Sequence, residues 1–481
     1  MSNIHLSVLD LGVFLIYMLA MVLIGRFTSG KIADATDFHL CGRSLGRFQA
    51  GVSMAATIFS GSGLIGGAGL AYAIGVSGSY WNLTAVPAWV IIGLTMTVSL
   101  RKLGLNTIPQ YIGQRYGVRT RRLIALLQII EAIVFLAVQV LISALALNAL
   151  FNINFIFAAV LVTFVFVAYT AMGGLWAVVW TDIMQYFVLM SAVLAGVGLA
   201  LWKVGGIAGL HAALPANHFS WSQLGTQVPL AWFALCIYSW GTDQAYLQRV
   251  FASKDHHVAR FAYMFAAVNY LIFGLAVAGI GMAASALVPG LKDQDQAFPR
   301  LIANIFPHGL RGFFLTGILA TTMSTASAYL AAPSSLFVQD IYEPLIGRQL
   351  DRKKLLGVSR ISVVLLAAIS LVVALRLPGV VDAVVFCTLV APAAIFFPLL
   401  AALYWKRTNL ASGFWAILTA AIAGCASQLW LWGNPSAGRL GEIHPLFFGP
   451  AFGVAVLLVA SLWPKVPAAD VITAHAAADS K

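Results

Sequence analysis

The residues of this 481-residue chain that could bind ions or small molecules lie inside apolar stretches. Residues 55 to 69 read AATIFSGSGLIGGAG, in which eleven of fifteen are Gly, Ala, Ser or Thr, within the uncharged run from Phe48 to Leu100. Glycine and serine are weak helix formers, and a backbone inside a membrane tolerates a break only where it lines a cavity. We therefore predict an interrupted helix whose freed carbonyls could ligate a small hard cation, and whose helix N-terminus could receive an anionic group.

A second group of candidate residues consists of hydroxyls in a later apolar segment. The motif MST at 323–325 follows LATT at 319–322. Because residues at i, i+3 and i+4 share one helix face, Thr321, Ser324 and Thr325 are expected to point in one direction. Neutral oxygens grouped in this way satisfy a hard cation such as sodium. The alternative is that both hydroxyls bond to carbonyls of their own helix.

Acidic residues inside apolar stretches are functional candidates because a carboxylate is costly there. The chain has four of them: Glu131, Asp182, Asp243 and Asp382. Asp182 and Asp243 are expected near the inner ends of their helices, so pairing with arginine or with a helix end explains them as well as ion contact does. Glu131, with Gln139 and Ser143 on its face, could line a pathway or be a protonated packing carboxyl.

The composition around these residues is that of a polytopic membrane protein. The chain is 61% hydrophobic and 9% charged, with a mean hydropathy of +0.91, whereas a soluble domain carries roughly 25% charge. We identify thirteen apolar segments that could cross a bilayer as helices. They are centred near residues 16, 63, 90, 136, 164, 190, 239, 272, 326, 368, 392, 420 and 454. The prediction is an all-α polytopic membrane protein of about 13 transmembrane helices, in a single membrane domain over residues 1–481.

The distribution of basic residues predicts the orientation. With the N-terminus outside, 22 Lys and Arg fall in inside segments and 6 fall outside. The positive-inside rule therefore predicts a cytoplasmic C-terminus, with the protein in the inner cell membrane. The net charge of +12 is explained by basic loops beside anionic lipid headgroups. Membrane lipids are accordingly expected as partners and nucleic acid is not.

Two sets of five predicted helices show the same pattern. They occupy residues 48–203 and 228–405, and because five is an odd number the two sets must have opposite orientations. The leading helix of each set is interrupted, at 55–69 in one and at IYSWGTDQ, residues 237–244, in the other. Residues 1–47 add a first helix and an inside loop, and residues 406–481 add two helices and a short tail. Such inverted repeats with interrupted leading helices are typical of secondary transporters.

Five motifs carry a resemblance to a known family. They are DFHLCGRSLG (37–46), TIPQYIGQRYG (107–117), GGLWAVVWTDIMQ (173–185), GTDQAYLQR (241–249) and LATTMSTASAYLAAPSSLFVQDIY (319–342). With these motifs in this order, the chain resembles the sodium:solute symporter family from about residue 5 to residue 430. That family includes sodium-coupled carriers of proline, sugars, pantothenate, monocarboxylates and sialic acid. The resemblance implies symport of a small organic solute with sodium by alternating access.

The resemblance also implies a sodium site between the interrupted second helix and the ninth helix. Its ligands would be the carbonyls of Ala56, Phe59 and Thr321 and the hydroxyls of Ser324 and Thr325. Members that bind two sodium ions add the acid of the TDxxQ motif and further serines of the ninth helix. Asp182 and Ser327 match that pattern, with Ser324 shared, but Ala328 occupies the position of the next serine. A second sodium ion is therefore a weaker prediction than the first.

Comparison with the family's motifs narrows the range of solutes that this chain is expected to carry. Sialic-acid members have an arginine where this chain has Phe135, and sugar members have a glutamate before the Trp-Asn pair, where Tyr80 stands here. Sugar members also have a tyrosine where Ser239 precedes Trp240. These departures favour an amino acid, a monocarboxylate or a pantothenate-like acid, with a neutral sugar-like or other polar solute as the alternative. The candidate substrate-binding residues are Thr57, Ser60, Ser62, Tyr80, Gln139, Tyr238 and Trp240.

The alternative functions, which belong to other classes of protein, are a membrane sensor and a channel built on the transporter fold. Ion flux without any solute would favour a channel. The sequence contains no GxSxG, HExxH or P-loop motif, so an enzyme is not predicted. A monomer is sufficient for transport, and the sequence leaves the oligomeric state open.

Overall fold

The fold is entirely helical across the residues that can be described. The structure is a computed structural model that describes residues 8–151, 153–307, 310–346, 352–377, 380–405, 407–434 and 444–462. Within these ranges there is no β-strand, and nine helical segments are long and apolar enough to cross a membrane. The predicted all-α polytopic membrane fold is confirmed.

Twenty-one helices follow one another along the described part of the chain. They are α1 Val8–Ser29, α2 Ala35–Leu40, α3 Arg47–Ile58, α4 Gly67–Ile74, α5 Tyr80–Leu83, α6 Ala85–Lys102, α7 Ile108–Tyr116, α8 Val118–Phe151, α9 Phe155–Val204, α10 Gly206–Ala213, α11 Gln227–Thr242, α12 Gln244–Ala252, α13 His256–Leu287, α14 Ala297–Ile305, α15 Leu310–Leu336, α16 Glu343–Ile346, α17 Arg352–Ala374, α18 Val380–Val390, α19 Pro392–Tyr404, α20 Leu410–Gly433 and α21 Pro445–Ala460. Two π-helical turns, at Ser62–Gly66 and Phe337–Tyr342, lead into α4 and α16.

The second and seventh predicted crossings are interrupted where the sequence predicts. Helix α3 ends at Ile58, and Phe59 has φ −71° and ψ 64°, which is outside the helical region. Helix α11 ends at Thr242, and Asp243 has φ −69° and ψ 127° before α12 begins. Both breaks lie inside the predicted stretches 55–69 and 237–244. The prediction of two interrupted helices is confirmed.

Helix α9 contains the fifth and sixth predicted crossings in one run of 50 residues. The run bends sharply at Gly174, where φ is 51° and ψ is −143°. A Cβ atom at this position would also collide with the carbonyl oxygen of Phe38. Only glycine fits both conditions, which accounts for the second glycine of the motif at 173–185.

Helix α15 lies in the middle of the bundle. In its most apolar window 94% of the residues are buried, compared with 33% in α1 and α17. It packs against α3, α8 and α9, while large apolar side chains such as Phe27 and Phe164 point outward with 78% and 69% exposure. The outward side chains suit lipid, and the enclosed helix can hold polar groups away from it.

Candidate functional site

The hydroxyl groups of α15 meet the end of α3 at the first break. Ser324 Oγ donates to the carbonyl oxygen of Ala56 at 2.9 Å, and Thr325 Oγ1 donates to that of Thr57 at 3.0 Å. Each hydroxyl also lies 3.1 Å from the carbonyl oxygen of Thr321. All of these residues are completely buried. We call these five atoms the oxygen cluster: the carbonyl oxygens of Ala56, Thr57 and Thr321 and the hydroxyl oxygens of Ser324 and Thr325.

The structure therefore brings together four of the five predicted sodium ligands. The fifth, Phe59, is the first residue beyond α3, and its ψ of 64° turns its carbonyl away from the direction of the helix axis. Its ring stacks on Phe273 with a centroid distance of 4.6 Å, which anchors the break against α13. Thr57, a predicted substrate residue, contributes its carbonyl oxygen to the cluster.

Side chains from neighbouring helices pair the backbone groups that the first break exposes. Gln139 Oε1 of α8 accepts a hydrogen bond from the Gly61 amide at 3.1 Å. The Trp81 indole donates to the carbonyl oxygen of Ser62 at 3.1 Å, and the hydroxyl oxygens of Ser60 and Ser62 are 2.8 Å apart. A buried backbone group without a partner is costly, so these contacts allow the chain to leave the helix inside the bundle.

Arg249 does not lie where the sequence predicts. It is one of the 22 basic residues expected in the inside segments, but it lies in α12 with its side chain completely buried. Its Nη2 donates to Asp182 Oδ2 at 2.8 Å and its Nε donates to Ser53 Oγ at 2.8 Å. Without Arg249 the inside segments hold 21 basic residues against 6 outside, so the predicted orientation is unaffected.

Asp182 and Ser327, the two predicted ligands of a second sodium ion, both lie near Tyr169. Asp182 Oδ2 accepts from Arg249 and also from Ser53 Oγ, at 2.5 Å. Asp182 Oδ1 has no hydrogen-bond partner within the described ranges. Ser327 Oγ donates to the carbonyl oxygen of Ser324 in its own helix at 3.0 Å. The Tyr169 hydroxyl is close to both predicted ligands.

The second break carries carboxyl groups. Asp243 Oδ1 caps α12 by accepting from the Ala245 amide at 2.8 Å, and Asp243 Oδ2 accepts a hydrogen bond from the Tyr329 hydroxyl. The Glu131 carboxyl of α8 lies beside the Asp243 carboxyl. The side chain of Asp382, the fourth predicted intramembrane acid, is outside the described part of the structure.

A cavity of about 50 Å³ lies between the two breaks. Seven of its lining residues are aromatic: Trp81, Phe135, Trp232, Trp240, Tyr246, Tyr270 and Tyr329. Polar groups from Ser60, Ser62, Glu131, Ser239 and Thr388 also face it. A cavity of this size holds a few water molecules at most, so a solute would have to enlarge it. We call it the aromatic cavity.

The predicted substrate residues fall into three groups. Ser60, Ser62 and Trp240 line the aromatic cavity, whereas Thr57 and Gln139 are buried at the first break. Tyr80 lies edge-on to Trp221, with ring centroids 5.4 Å apart. Tyr238 packs against Phe396 and Phe397, at 5.3 and 5.8 Å. Neither tyrosine lines the cavity.

Sequence reasoning missed most of the aromatic wall. Among these rings the sequence singles out Trp240 as a candidate substrate residue, but not Trp81, Trp232, Tyr246, Tyr270 or Tyr329. Tyr246 and Tyr329 lie within the quoted motifs, which was the available signal. Aromatic residues are frequent throughout this chain, so their type alone does not distinguish cavity walls from lipid contacts.

These features define a membrane transporter: a polytopic helical bundle with two interrupted crossings around a small polar-edged cavity. A model of the sodium:solute symporter family matches residues 38–420. The chain belongs to the sodium:solute symporter family. It is 27% identical to a sodium/glucose cotransporter of Vibrio parahaemolyticus, over 85% of this chain and 83% of that protein. It is also 27% identical to the high-affinity proline transporter PutP of Bacillus subtilis, over 93% of this chain and 96% of that protein.

Solved structures show the same fold. A sodium-coupled sialic acid symporter in its substrate-bound outward-open state matches with a TM-score of 0.81 and 21% identity, covering 95% of this chain and 99% of that one. The nucleobase-cation-symport transporter Mhp1 in a closed conformation matches with a TM-score of 0.60 and 14% identity, covering 88% of this chain and 94% of that one. At these identities the likeness concerns the fold alone.

Proposed function

We propose that this protein imports a small organic solute together with sodium, and that the oxygen cluster and the Phe59 carbonyl hold the sodium ion. The observation that carries the proposal is the contact of Ser324 and Thr325 with the carbonyls at the end of α3. Neutral side-chain and main-chain oxygens from two helices meet there in a completely buried place. A hard monovalent cation is satisfied by about five such neutral oxygens.

The position of the cluster suggests how sodium binding would be coupled to the solute. Sodium would draw the end of α3 and the middle of α15 together, and the chain that leaves α3 continues directly to Ser60 and Ser62 at the aromatic cavity. Filling one site would therefore stabilise the wall of the other. A potential of 100 mV contributes about 2.3 kcal/mol per ion, and a tenfold sodium gradient contributes about 1.4 kcal/mol. One sodium ion would then support a solute gradient of several hundredfold.

One sodium ion per solute is the stoichiometry that these contacts favour. Asp182 is already balanced by Arg249 and hydrogen-bonded by Ser53, and Ala328 replaces a serine of the two-sodium pattern. A second ion at Asp182 and Ser327 is the alternative, and the open Oδ1 atom of Asp182 supports it. The reversal potential of transport in proteoliposomes would distinguish the two stoichiometries.

For the solute we propose an amino acid, a monocarboxylate or a pantothenate-like acid. Phe135, in place of an arginine, stacks on Tyr329 at 4.4 Å and closes one side of the cavity. The alternative is a neutral sugar-like solute, which the similarity to a sodium/glucose cotransporter supports.

We also propose that the protein lies in the inner cell membrane with its C-terminus in the cytoplasm, on the basis of its basic loops.

Sodium binding without any solute tests the proposal. Sodium chloride should stabilise the purified protein against heating more than potassium chloride at equal ionic strength. Ser324→Ala and Thr325→Ala should each raise the half-saturating sodium concentration about tenfold or more, because each removes a ligand worth at least ~1.4 kcal/mol. Thr316→Ala is the matched control, since this buried hydroxyl of the same helix donates only to the Gly312 carbonyl of its own helix, at 2.7 Å. Unchanged sodium dependence in both site variants would refute the proposed site.

A further inference from the structure

We propose that the aromatic cavity recognises the solute by a positively charged nitrogen, so that the solute is a small organic ammonium such as an amino acid, an imino acid or a betaine. This inference rests on the proposed function and specifies the substrate class of the same transporter. Its basis is that an acid and no basic side chain lines the cavity, and that most of the wall is aromatic.

The acids at the second break have no counter-charge inside the cavity. None of the residues that line it is Lys, Arg or His. In the part of the chain that the structure describes, the ion pairs are Arg121 with Asp340 and Arg249 with Asp182. Arg249 lies near Asp243, but its guanidinium is bonded to Asp182, Ser53 and the carbonyl oxygen of Ala245. Neither Glu131 nor Asp243 is part of a described ion pair.

The two acids have different surroundings. Both oxygens of Asp243 accept hydrogen bonds, one from the Ala245 amide and one from the Tyr329 hydroxyl, and the N-terminus of α12 further stabilises its charge. Glu131 is the acid whose side chain borders the aromatic cavity. Even if the adjacent pair shares one proton, it keeps one negative charge. One cationic group at the cavity would match that charge.

The walls of the cavity suit the same kind of group. Trp240 stacks on Trp89 at 4.9 Å and lies edge-on to Tyr246 and Tyr270, at 6.3 and 6.0 Å. The Tyr263 hydroxyl donates to the carbonyl oxygen of Trp240 at 2.8 Å and keeps this segment in place. Aromatic faces attract ammonium groups, and the attraction is strongest when the cation is removed from water. The Tyr270 and Tyr329 hydroxyls already donate to Asn82 and Asp243, so these rings offer a solute mainly their faces.

Matched pairs of probes separate charge from shape. L-proline and cyclopentanecarboxylate have nearly the same ring, and glycine betaine and tert-butylacetate have the same skeleton, but only the first of each pair carries a positive nitrogen. D-glucose and L-lactate serve as probes without one. Binding is measured as thermal stabilisation of the purified full-length protein in saturating sodium chloride and an amine-free buffer. At least one ammonium probe should bind about tenfold or more tightly than its carbon analogue, since the analogue lacks the attraction of the positive nitrogen to the acids and to the aromatic faces.

Variants then assign the effect to Glu131. Glu131→Gln should weaken binding of the ammonium probe about tenfold and leave stabilisation by sodium alone unchanged. Glu343→Gln is the control, because this acid of α16 does not line the cavity.

If Glu131→Gln removes the response to sodium, the acids bind sodium and the inference is wrong. It is also wrong if a carbon analogue binds as well as its ammonium partner, if no ammonium probe binds, or if Glu131→Gln leaves ammonium binding intact. Ammonium binding that is indifferent to sodium would contradict the proposed function while supporting this inference.

Discussion

At both interrupted helices of this protein a glutamine side chain pairs an exposed backbone group, but the chemical groups gathered at the two breaks differ. At the first break Gln139 accepts from the Gly61 amide, and at the second break Gln128 donates to the carbonyl of Thr242 at 2.6 Å. Both glutamines belong to α8. Apart from this shared glutamine contact, the two breaks differ. Neutral oxygens surround the first break, whereas carboxyl groups and aromatic rings surround the second.

This difference would allow one transporter to bind its metal ion and its organic solute at separate places. A cluster of neutral dipoles satisfies a small dehydrated cation by the number and placement of its oxygens. A carboxyl group beside aromatic faces attracts a larger cation through charge and polarisable surface. Because the break of α3 leads from the oxygen cluster directly into Ser60 and Ser62, the two proposed sites would be distinct but connected through the backbone.

The largest expected effect is on stability, and it comes from removing the side chain that joins the two broken helices. Arg249 of α12 bonds to Ser53 of α3, so it ties the second broken helix to the first. Arg249→Leu should lower the free energy of unfolding by about 3–5 kcal/mol, because it leaves the buried Asp182 carboxylate without its partner. Thermal or denaturant unfolding in detergent measures the change.

The double variant Arg249→Leu with Asp182→Leu is the control for this prediction. It removes both charges and should regain most of the stability. If the single variant is as stable as the unmodified protein, the tie between the two helices has no energetic role.

A smaller effect should distinguish the two glutamines of α8. Gln139→Leu and Gln128→Leu each leave one buried backbone group unpaired, at a cost of about 1–3 kcal/mol in stability. Only Gln139→Leu should also raise the half-saturating sodium concentration several-fold, because Gly61 lies next to the proposed sodium site. Sodium titrations monitored by thermal stability compare the two variants, and an equal loss of sodium affinity in both would argue against separate sites.

The smallest effect concerns an acid outside the membrane spans, beside α4, the second half of the first broken helix. A Cβ atom on Gly69 of α4 would lie 3.1 Å from Asp295 Oδ1. Burial, helped by the neighbouring charge of Asp293, raises the pKa of Asp295 to about 6. Since this exceeds the unfolded value of about 3.9, the stability gained from the bound proton is present below pH ~4 and is lost as the pH rises through about 6.

Asp295→Asn should therefore stabilise the protein above that pH and have little effect near pH 4. Asp295 is partly exposed, and solvent screening reduces the expected gain to about 1 kcal/mol or less. A rise in melting temperature of roughly 1–2 °C at pH 7.5 is expected, and the same measurement at pH 4.5 is the comparison. A gain that does not change with pH would mean that Asp295 does not titrate in this range.

Local sequence features predicted much of this molecule. Apolar runs separated by basic loops predict membrane helices because an unpaired backbone is costly in lipid. The Gly-rich and Ser-rich stretch at 55–69 and the polar end of IYSWGTDQ predicted both breaks, since such residues do not sustain a helix. The spacing of Thr321, Ser324 and Thr325 predicted their common face. These properties follow from each segment alone.

Only the tertiary structure decided which partners these groups meet. Arg249 reads as a loop charge, and its burial against Asp182 depends on how α12 packs against α3 and α15. Likewise, Glu131 faces the aromatic cavity because α8 passes beside the second break, more than a hundred residues away in the chain. Helical periodicity specifies the face on which a residue lies. It does not specify which helix covers that face, because the pairing of distant helices depends on the packing of the whole bundle.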